Sequence, residues 1–222
     1  MRPLQLKLNY FGPYRQQTID FTKFDRTSMF LISGPTGAGK STIFDGLVFA
    51  LYDKASGSQR DPKEFRSDFA TIHDETSVEL TFTHRGHYYQ IIRKPKQTLA
   101  KKRGQGTTEQ SPQIELTIYA DETPTKEIKQ LTKIDQANKY LTDLLQLNAA
   151  QFRQIVLLPQ GEFRQFLNGD SNQKEAVLRN LFQTQRYEQW VKQLQTQYKQ
   201  LKDDNGQRQQ KIQTLLQQVN WL

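Results

Sequence analysis

Eight consecutive residues near the start of the chain have types and a spacing that predict phosphate chemistry. Residues 34–41 read Gly-Pro-Thr-Gly-Ala-Gly-Lys-Ser and match the pattern G-x-x-x-x-G-K-[ST]. Glycines lack a Cβ atom, so such a loop can curl tightly with its N–H groups turned inward. These donors and the positive end of a following helix form an anion site, so the pattern predicts a P-loop for nucleotide phosphates.

Two residues of this loop have distinct predicted roles. The ammonium of Lys40 would contact the β- and γ-phosphates, and the hydroxyl of Ser41 would be a ligand of the nucleotide's Mg²⁺. The predicted binding residues are Gly34, Pro35, Thr36, Gly37, Ala38, Gly39, Lys40, Ser41 and Thr42. The alternative is a glycine-rich turn that matches the pattern by accident.

The segments on either side of the loop argue against an accidental match. Residues 30–32 (Phe-Leu-Ile) form a short apolar run that predicts a buried strand, and residues 42–52 predict a mostly apolar helix. Strand, loop and helix therefore follow in the order that a P-loop requires.

Composition narrows the class of protein. The chain has 222 residues and a net charge of +8, without any cysteine, so disulfides and thiolate metal sites are excluded. The charge leaves nucleic acid, a phosphorylated ligand and simple solubility open as explanations. No apolar run approaches the roughly 20 residues of a membrane span, and no signal peptide is recognisable, so we expect a cytoplasmic protein without membrane contact.

Alternating apolar residues predict a set of antiparallel strands around the P-loop. The predicted strands are residues 4–10, 17–21, 78–83, 89–93 and 114–119, with a turn at 11–14 and a hairpin turn at Arg85 and Gly86. Residues 132–147 predict an amphipathic helix, and residues 152–158, which include the fully apolar run 155–158, predict a second buried strand. We therefore expect an α/β fold with an antiparallel β-meander beside the P-loop core.

Two loops have more than one interpretation. Residues 93–103 contain six basic residues and no acid, which predicts a flexible basic loop that either contacts a phosphate backbone or is a solvated hairpin tip. Residues 65–69 mix aromatic and charged side chains. They form either a structured turn near the nucleotide or a loop held by Phe65 and Phe69, and we favour the second.

The last part of the chain has a heptad pattern. A capping box at Asp170 and Gln173 predicts a helix start, and from residue 187 to 222 eleven positions follow one another at spacings of four and three. Nine of the eleven are apolar, and the exceptions, Asn205 and Arg208, flank Gly206, where we expect a weak point. A coiled-coil helix of about 54 Å is favoured over a helix lying on the domain, because the apolar seam is narrow.

Several parts of a complete ATPase are missing. The only candidate for a Walker B carboxylate, at Asp121 and Glu122, follows an alternating strand and precedes a turn, so we reject it. No Leu-Ser-Gly-Gly-like stretch is present, and the three histidines are scattered. The heptad seam runs to the last residue, so we expect a partner helix from elsewhere and a longer molecule.

These motifs together resemble the N-terminal half of the SbcC family, the SMC-like ATPase subunits of a bacterial DNA-repair nuclease. The resemblance rests on residues 9–14, 34–41, 44–47, 50–52, 66–70 and 158–163. Thr36 distinguishes the chain from condensin-type SMC and RecF-like proteins, which usually have Asn at this position. Relatives often have a basic residue where this chain has Gly12, so the role of Arg15, the nearest basic residue, stays open.

The resemblance implies a split ABC/SMC-type head. Residues 1–168 would be its N-terminal lobe, and residues 169–222 would begin a protruding coiled-coil arm that is cut short. Gln160 would be the Q-loop glutamine, which senses Mg²⁺ and the γ-phosphate of ATP and acts with Lys40 in catalysis. The signature motif and Walker B would come from the C-terminal lobe of the same protein.

The implied partners follow from the same family. Two heads would bind two ATP molecules between them and close over DNA in the nucleoid, and an SbcD-type metallo-nuclease would dock at the coiled-coil base, residues 170–198. The alternatives are another SMC- or ABC-type head, a transporter-type cassette, or a coiled-coil DNA-tethering protein with a structural P-loop. We expect the chain alone to bind ATP weakly and hardly to hydrolyse it.

Overall fold

The computed structural model describes residues 1–25, 29–56, 62–101, 103–157 and 185–218. The chain divides into two compact units, Met1–Gln165 and Phe166–Leu222. The predicted boundary after residue 168 lies outside the described residues and stays a prediction. None of the helices in the described ranges combines the length and apolar character needed to cross a membrane.

The first unit is built on an antiparallel sheet of six strands in the order β2-β1-β3-β4-β7-β8. Strands β5 and β6 pair separately as a two-stranded hairpin. The strands are β1 (Arg2–Phe11), β2 (Tyr14–Asp20), β3 (Ser77–His84), β4 (His87–Lys94), β5 (Gln97–Ala100), β6 (Thr107–Gln110), β7 (Gln113–Tyr119) and β8 (Glu127–Leu131). The predicted meander and its hairpin turn at Arg85 and Gly86 are confirmed.

One face of the sheet forms the core, as the alternating sequence predicts. Leu6 and Leu8 on β1 and Leu80 on β3 are fully buried, and Leu6 lies opposite Leu80 in the register. Phe82 and Tyr89 are opposite each other on β3 and β4, and their rings stack with centroids 4.8 Å apart. Burial of these alternating side chains therefore fixes the register.

Two helices pack on this unit where the sequence predicts them. Helix α1 (Lys40–Tyr52) is buried at ten of its thirteen residues, which explains why its sequence is apolar on nearly all sides. Helix α2 (Ile134–Leu145) is amphipathic and buries Ala137 and Leu141. Because α1 follows the loop at residues 34–39 directly, its position in the core fixes the position of that loop.

The strand predicted at residues 30–32 is not present. Residues 29–35 have no regular secondary structure, and Phe30 and Leu31 are 51% and 87% exposed. A strand needs a hydrogen-bonded neighbour, and none of the strands in the described residues pairs with this segment. The run is only partly covered: the Phe30 ring stacks on Phe24 with centroids 4.5 Å apart and Ile32 packs against the core, whereas Leu31 is left exposed.

The second predicted buried strand, at residues 152–158, is also wrong. Helix α3 (Ala149–Phe152) continues into a π-helical turn at Arg153–Leu157, while residue 158 lies outside the described ranges. The helix begins with a capping box, in which the Asn148 side chain accepts from Gln151 N and the Gln151 side chain accepts from Asn148 N, both at 2.9 Å. Val156 is 52% exposed, so the run is not a core strand.

The second unit is described by one helix, α4 (Gln185–Gln218), of 34 residues and about 51 Å. It is unbroken at Gly206, so the expected weak point there stays a prediction. The seam side chains are more than half exposed: Tyr187, Val191, Leu194, Tyr198, Leu201, Ile212 and Leu215. The predicted helix is confirmed over this range, and its pairing in a coiled coil stays a prediction. The capping box at residues 170–173 lies outside the described residues.

Candidate functional site

A cleft of about 810 Å³ opens at the amino end of α1. Three segments line it: the β1–β2 turn at Gly12 and Pro13, the loop at residues 36–42, and the segment at residues 64–69. Its volume is in the range of sites for small molecules and cofactors. It brings together six of the nine predicted binding residues: Thr36, Gly37, Gly39, Lys40, Ser41 and Thr42.

Gly39 joins the loop to α1 in a conformation that only glycine adopts easily. It is the N-cap residue and has a left-handed backbone with φ = 87°. A Cβ atom there would lie 2.7 Å from Pro13 Cγ and 2.8 Å from the Tyr14 hydroxyl. The Tyr14 hydroxyl donates to Gly39 O at 3.1 Å, so the β1–β2 turn braces the loop directly.

The amino end of α1 presents free backbone donors at the cleft. Thr42 N donates to Gly39 O at 2.9 Å, which closes the first helical turn. Within the described residues, the N–H groups of Gly37, Gly39, Lys40 and Ser41 have no hydrogen-bond acceptor. The first N–H groups of a helix have no partner inside the helix and carry its partial positive charge, so this end of the cleft attracts anions.

Lys40 supplies a full positive charge in the same place. Its Nζ donates to Gly34 O at 2.8 Å and to Pro35 O at 2.7 Å. Both acceptors are neutral carbonyls, and across the described ranges no carboxylate lies within ion-pair distance of Nζ. The loop therefore holds the ammonium in place without neutralising it.

The segment at residues 64–69 forms another wall of the cleft. Phe65 is 1% exposed and stacks on Phe11 with ring centroids 4.7 Å apart, while Phe69 is 54% exposed. The interpretation of a loop held by both phenylalanines is therefore wrong, and the segment is a structured turn beside the cleft. Arg15 lies over the Phe69 ring, with its guanidinium carbon 5.2 Å from the centroid.

Sequence reasoning gave no role to three charged residues of this wall, Glu64, Arg66 and Asp68. The available signal was the mixture of aromatic and charged residues at 65–69, which left two interpretations open. Arg66 is partly buried and hydrogen-bonded, whereas both carboxylates are exposed. Neither carboxylate follows a buried strand, as a Walker B residue would.

Other predicted site residues lie away from the cleft or outside the described ranges. Gln160 is outside the described residues, so its predicted role as the Q-loop glutamine stays a prediction. Asp121 and Glu122 are in the β7–β8 connection, exposed, and do not line the cleft. Among the residues described, no group of three or more His, Asp or Glu side chains is arranged to hold a metal ion.

The basic segment at residues 93–103 is not a flexible loop. It includes β5, which pairs with β6, and two of its lysines are in ion pairs: Lys94 with Glu75 at 2.9 Å and Lys96 with Glu109 at 2.7 Å. Lys101 and Arg103 are exposed near the hairpin tip. Both interpretations of this exposed tip, contact with a phosphate backbone and a solvated hairpin tip, stay predictions.

Arg93, the first residue of this basic segment, is 1% exposed and is part of the core. Its Nε donates to Ala50 O at 3.0 Å, and its Nη2 donates to Asn138 Oδ1 at 2.8 Å. Burial lowers the pKa of Arg93 to about 10, and the carboxylate of Asp53, 3.8 Å from Nη1, acts in the opposite direction. This guanidinium joins α1, β4 and α2 and is not available to a phosphate.

The fold and the cleft define the chain as an α/β P-loop domain. In agreement, the chain belongs to the family described as the AAA domain, whose model matches residues 5–220.

Similar curated proteins are named as the C subunit of the nuclease SbcCD. The relative from Lactococcus lactis is 44% identical over 184 residues, 83% of this chain and 18% of the relative. The relatives from Vibrio cholerae (42% identity, 85% of this chain, 18% of the relative) and Staphylococcus haemolyticus (38%, 99%, 21%) are similar over comparable stretches. The resemblance to SbcC is therefore confirmed, and the chain spans about a fifth of the length of these relatives.

Proposed function

We propose that the chain is the ATP-binding N-terminal lobe of an SMC-like DNA-repair ATPase head. The observation that carries this proposal is the cleft at the amino end of α1, where backbone donors and Lys40 face the same space. A triphosphate is the ligand class that needs several N–H donors and a fixed cation together.

The residues present fit a magnesium nucleotide. The free N–H groups of Gly37, Gly39, Lys40 and Ser41 and the Lys40 ammonium would hold the phosphates, and the Ser41 hydroxyl would be a ligand of Mg²⁺. When bound, Mg²⁺ would supply positive charge that offsets the negative charge of the phosphates. The protein's own contribution is to hold these donors rigidly, which it does through Gly39, Tyr14 and the buried helix α1.

The site is proposed to be one side of a composite site. The walls of the cleft contain no carboxylate at the end of a buried strand within the described residues. The apolar run of Phe30 and Leu31 beside the P-loop is exposed and suits a covering strand from another part of the molecule. A C-terminal lobe carrying the signature motif and Walker B would supply both, and Gln160 would complete the near side.

The larger assembly is proposed on the similarity to SbcC. The exposed apolar seam of α4 suits a second helix that packs along it and so extends a coiled-coil arm. ATP would drive two heads together around DNA, and a partner nuclease at the base of the arm would cut. The names of the relatives describe one component of a nuclease with more than one kind of chain, which is consistent with a separate cutting component.

Binding of ATP to the Lys40→Ala variant tests the nucleotide role. We expect the dissociation constant of Mg·ATP, measured by calorimetry on the whole chain, to rise at least tenfold, about 1.4 kcal/mol, because a charge-assisted contact to phosphate is lost. The matched control is Lys139→Ala, which removes an exposed lysine of α2 away from the cleft and should leave the affinity unchanged.

An unchanged affinity in Lys40→Ala would contradict this role. It would favour the alternative in which the P-loop is only structural and the protein is a coiled-coil tether.

A further inference from the structure

Gln97, the first residue of β5, has a buried side-chain amide whose orientation is fixed by the backbone N–H and C=O groups of a single residue, Thr76. The side chain is 4% exposed, its Oε1 accepts from Thr76 N at 2.7 Å, and its Nε2 donates to Thr76 O at 3.1 Å. Exchanging the amide oxygen and nitrogen would place donor against donor and acceptor against acceptor. The oxygen therefore faces one direction only.

That oxygen also accepts from a residue of the cleft wall. Arg66 Nη1 donates to Gln97 Oε1 at 2.8 Å and to Thr76 Oγ1 at 3.2 Å, and Arg66 Nη2 donates to Thr71 O at 2.7 Å. These bonds use three of the five N–H donors of the guanidinium. The other two have no acceptor in the described part of the chain, and no carboxylate there forms an ion pair with Arg66.

The anchor of Arg66 belongs to the β5–β6 hairpin and not to the P-loop. Ala100 N, at the other end of β5, donates to Ile72 O at 2.7 Å. Strand β5 is therefore fastened at two points to the segment that follows Arg66, through Gln97 and through Ala100. The position of a charged side chain in the cleft depends on this hairpin, whose tip carries the exposed Lys101 and Arg103.

We propose that Gln97 is a positioning residue for the nucleotide cleft. It holds the Arg66 guanidinium against the wall of the cleft that Lys40 also lines. The cleft then offers an anionic ligand a second cation, with two unused donors, in addition to Lys40. The inference rests on the proposed function, because the anion in question is the nucleotide. Without the amide oxygen, the long Arg66 side chain would have to be ordered by the ligand itself, at a cost in affinity.

A double-mutant cycle on nucleotide affinity tests this role. In calorimetric titrations of the whole chain with Mg·ATP, we expect Gln97→Met to weaken binding about fivefold, from the loss of a hydrogen bond to a charged group. Arg66→Met should weaken binding at least as much, and the double variant should be no weaker than Arg66→Met alone, because both changes remove one interaction. Gln97→Glu keeps an acceptor for Arg66, but it sets a carboxylate oxygen against Thr76 O and neutralises the guanidinium, so we expect it not to recover the affinity.

Thr76→Val is the second variant if Gln97→Met does not fold. It removes the hydroxyl acceptor of Arg66 and also the hydrogen bond that Thr76 Oγ1 donates to Tyr10 O at 3.2 Å, and we expect about a twofold loss of affinity. Independent, additive losses in the double variant would overturn the proposal, and so would an affinity unchanged by Arg66→Met. If Lys40→Ala abolishes binding while Gln97→Met and Thr76→Val leave it intact, only the role of Gln97 fails. If Lys40→Ala has no effect, the proposed function itself fails and the role of Gln97 with it.

Discussion

Helix α1 has a basic side chain at each end, and the two side chains differ in burial and in their bonding partners. At its carboxyl end, Arg93 is buried, donates to Ala50 O and to Asn138 Oδ1, and has the Asp53 carboxylate 3.8 Å away. At its amino end, the ammonium of Lys40 is in an open cleft.

The bonding partners at the amino end are neutral. Lys40 donates only to the carbonyl oxygens of Gly34 and Pro35 among the described residues. The helix dipole increases the contrast, because it favours a cation at the carboxyl end and opposes one at the amino end. Arg93 is therefore placed to stabilise the fold. Lys40 is placed where only an added anion would stabilise its positive charge. The comparison separates a cation that the fold itself uses from one that the cleft leaves available to an anion.

The largest effect on folding is expected from Arg93→Met. This change leaves Ala50 O and Asn138 Oδ1 without their donor in the core, so the free energy of unfolding of the first unit should fall by about 3 kcal/mol. The change should be followed by hydrogen exchange of β3 and β4 in urea. Fluorescence would report on the wrong unit, since the tryptophans, Trp190 and Trp221, both belong to the second.

Lys40→Ala is the matched control for the other end of the helix. It should change the free energy of unfolding by no more than about 0.5 kcal/mol in the absence of nucleotide, because the lost bonds are exposed and the lost charge opposes the dipole. Equal losses in the two variants would remove the distinction between a structural and a binding cation.

An effect of similar size is expected from Gly39→Ala, compared with Gly37→Ala. Both residues have a left-handed backbone, with φ of 87° and 84°, but a Cβ at Gly39 would meet Pro13 and Tyr14 within 3 Å, whereas nothing lies within 4 Å of one at Gly37. We expect a loss of about 3 kcal/mol at Gly39 and about 1 kcal/mol at Gly37 in the same unfolding experiment. A similar loss at both positions would show that the brace from the β1–β2 turn is unimportant.

Much of the first unit could be predicted from local sequence. Strict alternation at residues 4–10 and 78–83 has a period of two that only a half-buried strand explains, and both strands are observed. The P-loop pattern placed the start of α1 because its glycines and its lysine have local geometric roles. These signals are short-range, so a single sequence is sufficient to identify them.

The failures have a common physical cause. Short apolar runs at residues 30–32 and 155–158 carry no period, so strand, helix and exposed segment cannot be distinguished from the run alone. A usable signal for the second was the pair Asn148 and Gln151, which forms the observed capping box. The local sequence does not show the roles of Arg93 and Gln97, because their partners, such as Asn138 and Arg66, are more than thirty positions away in the chain.

The steady-state turnover of saturating Mg·ATP by the whole chain is the most direct test of a composite site. In the proposed function, this chain provides the phosphate-binding side of a site whose water-activating groups are elsewhere. Turnover should therefore be no faster than that of Lys40→Ala, although the unaltered chain binds the nucleotide. A rate of about 1 s⁻¹ or more, abolished by Lys40→Ala, would contradict the composite site, since rates of that order are typical of a complete enzyme site.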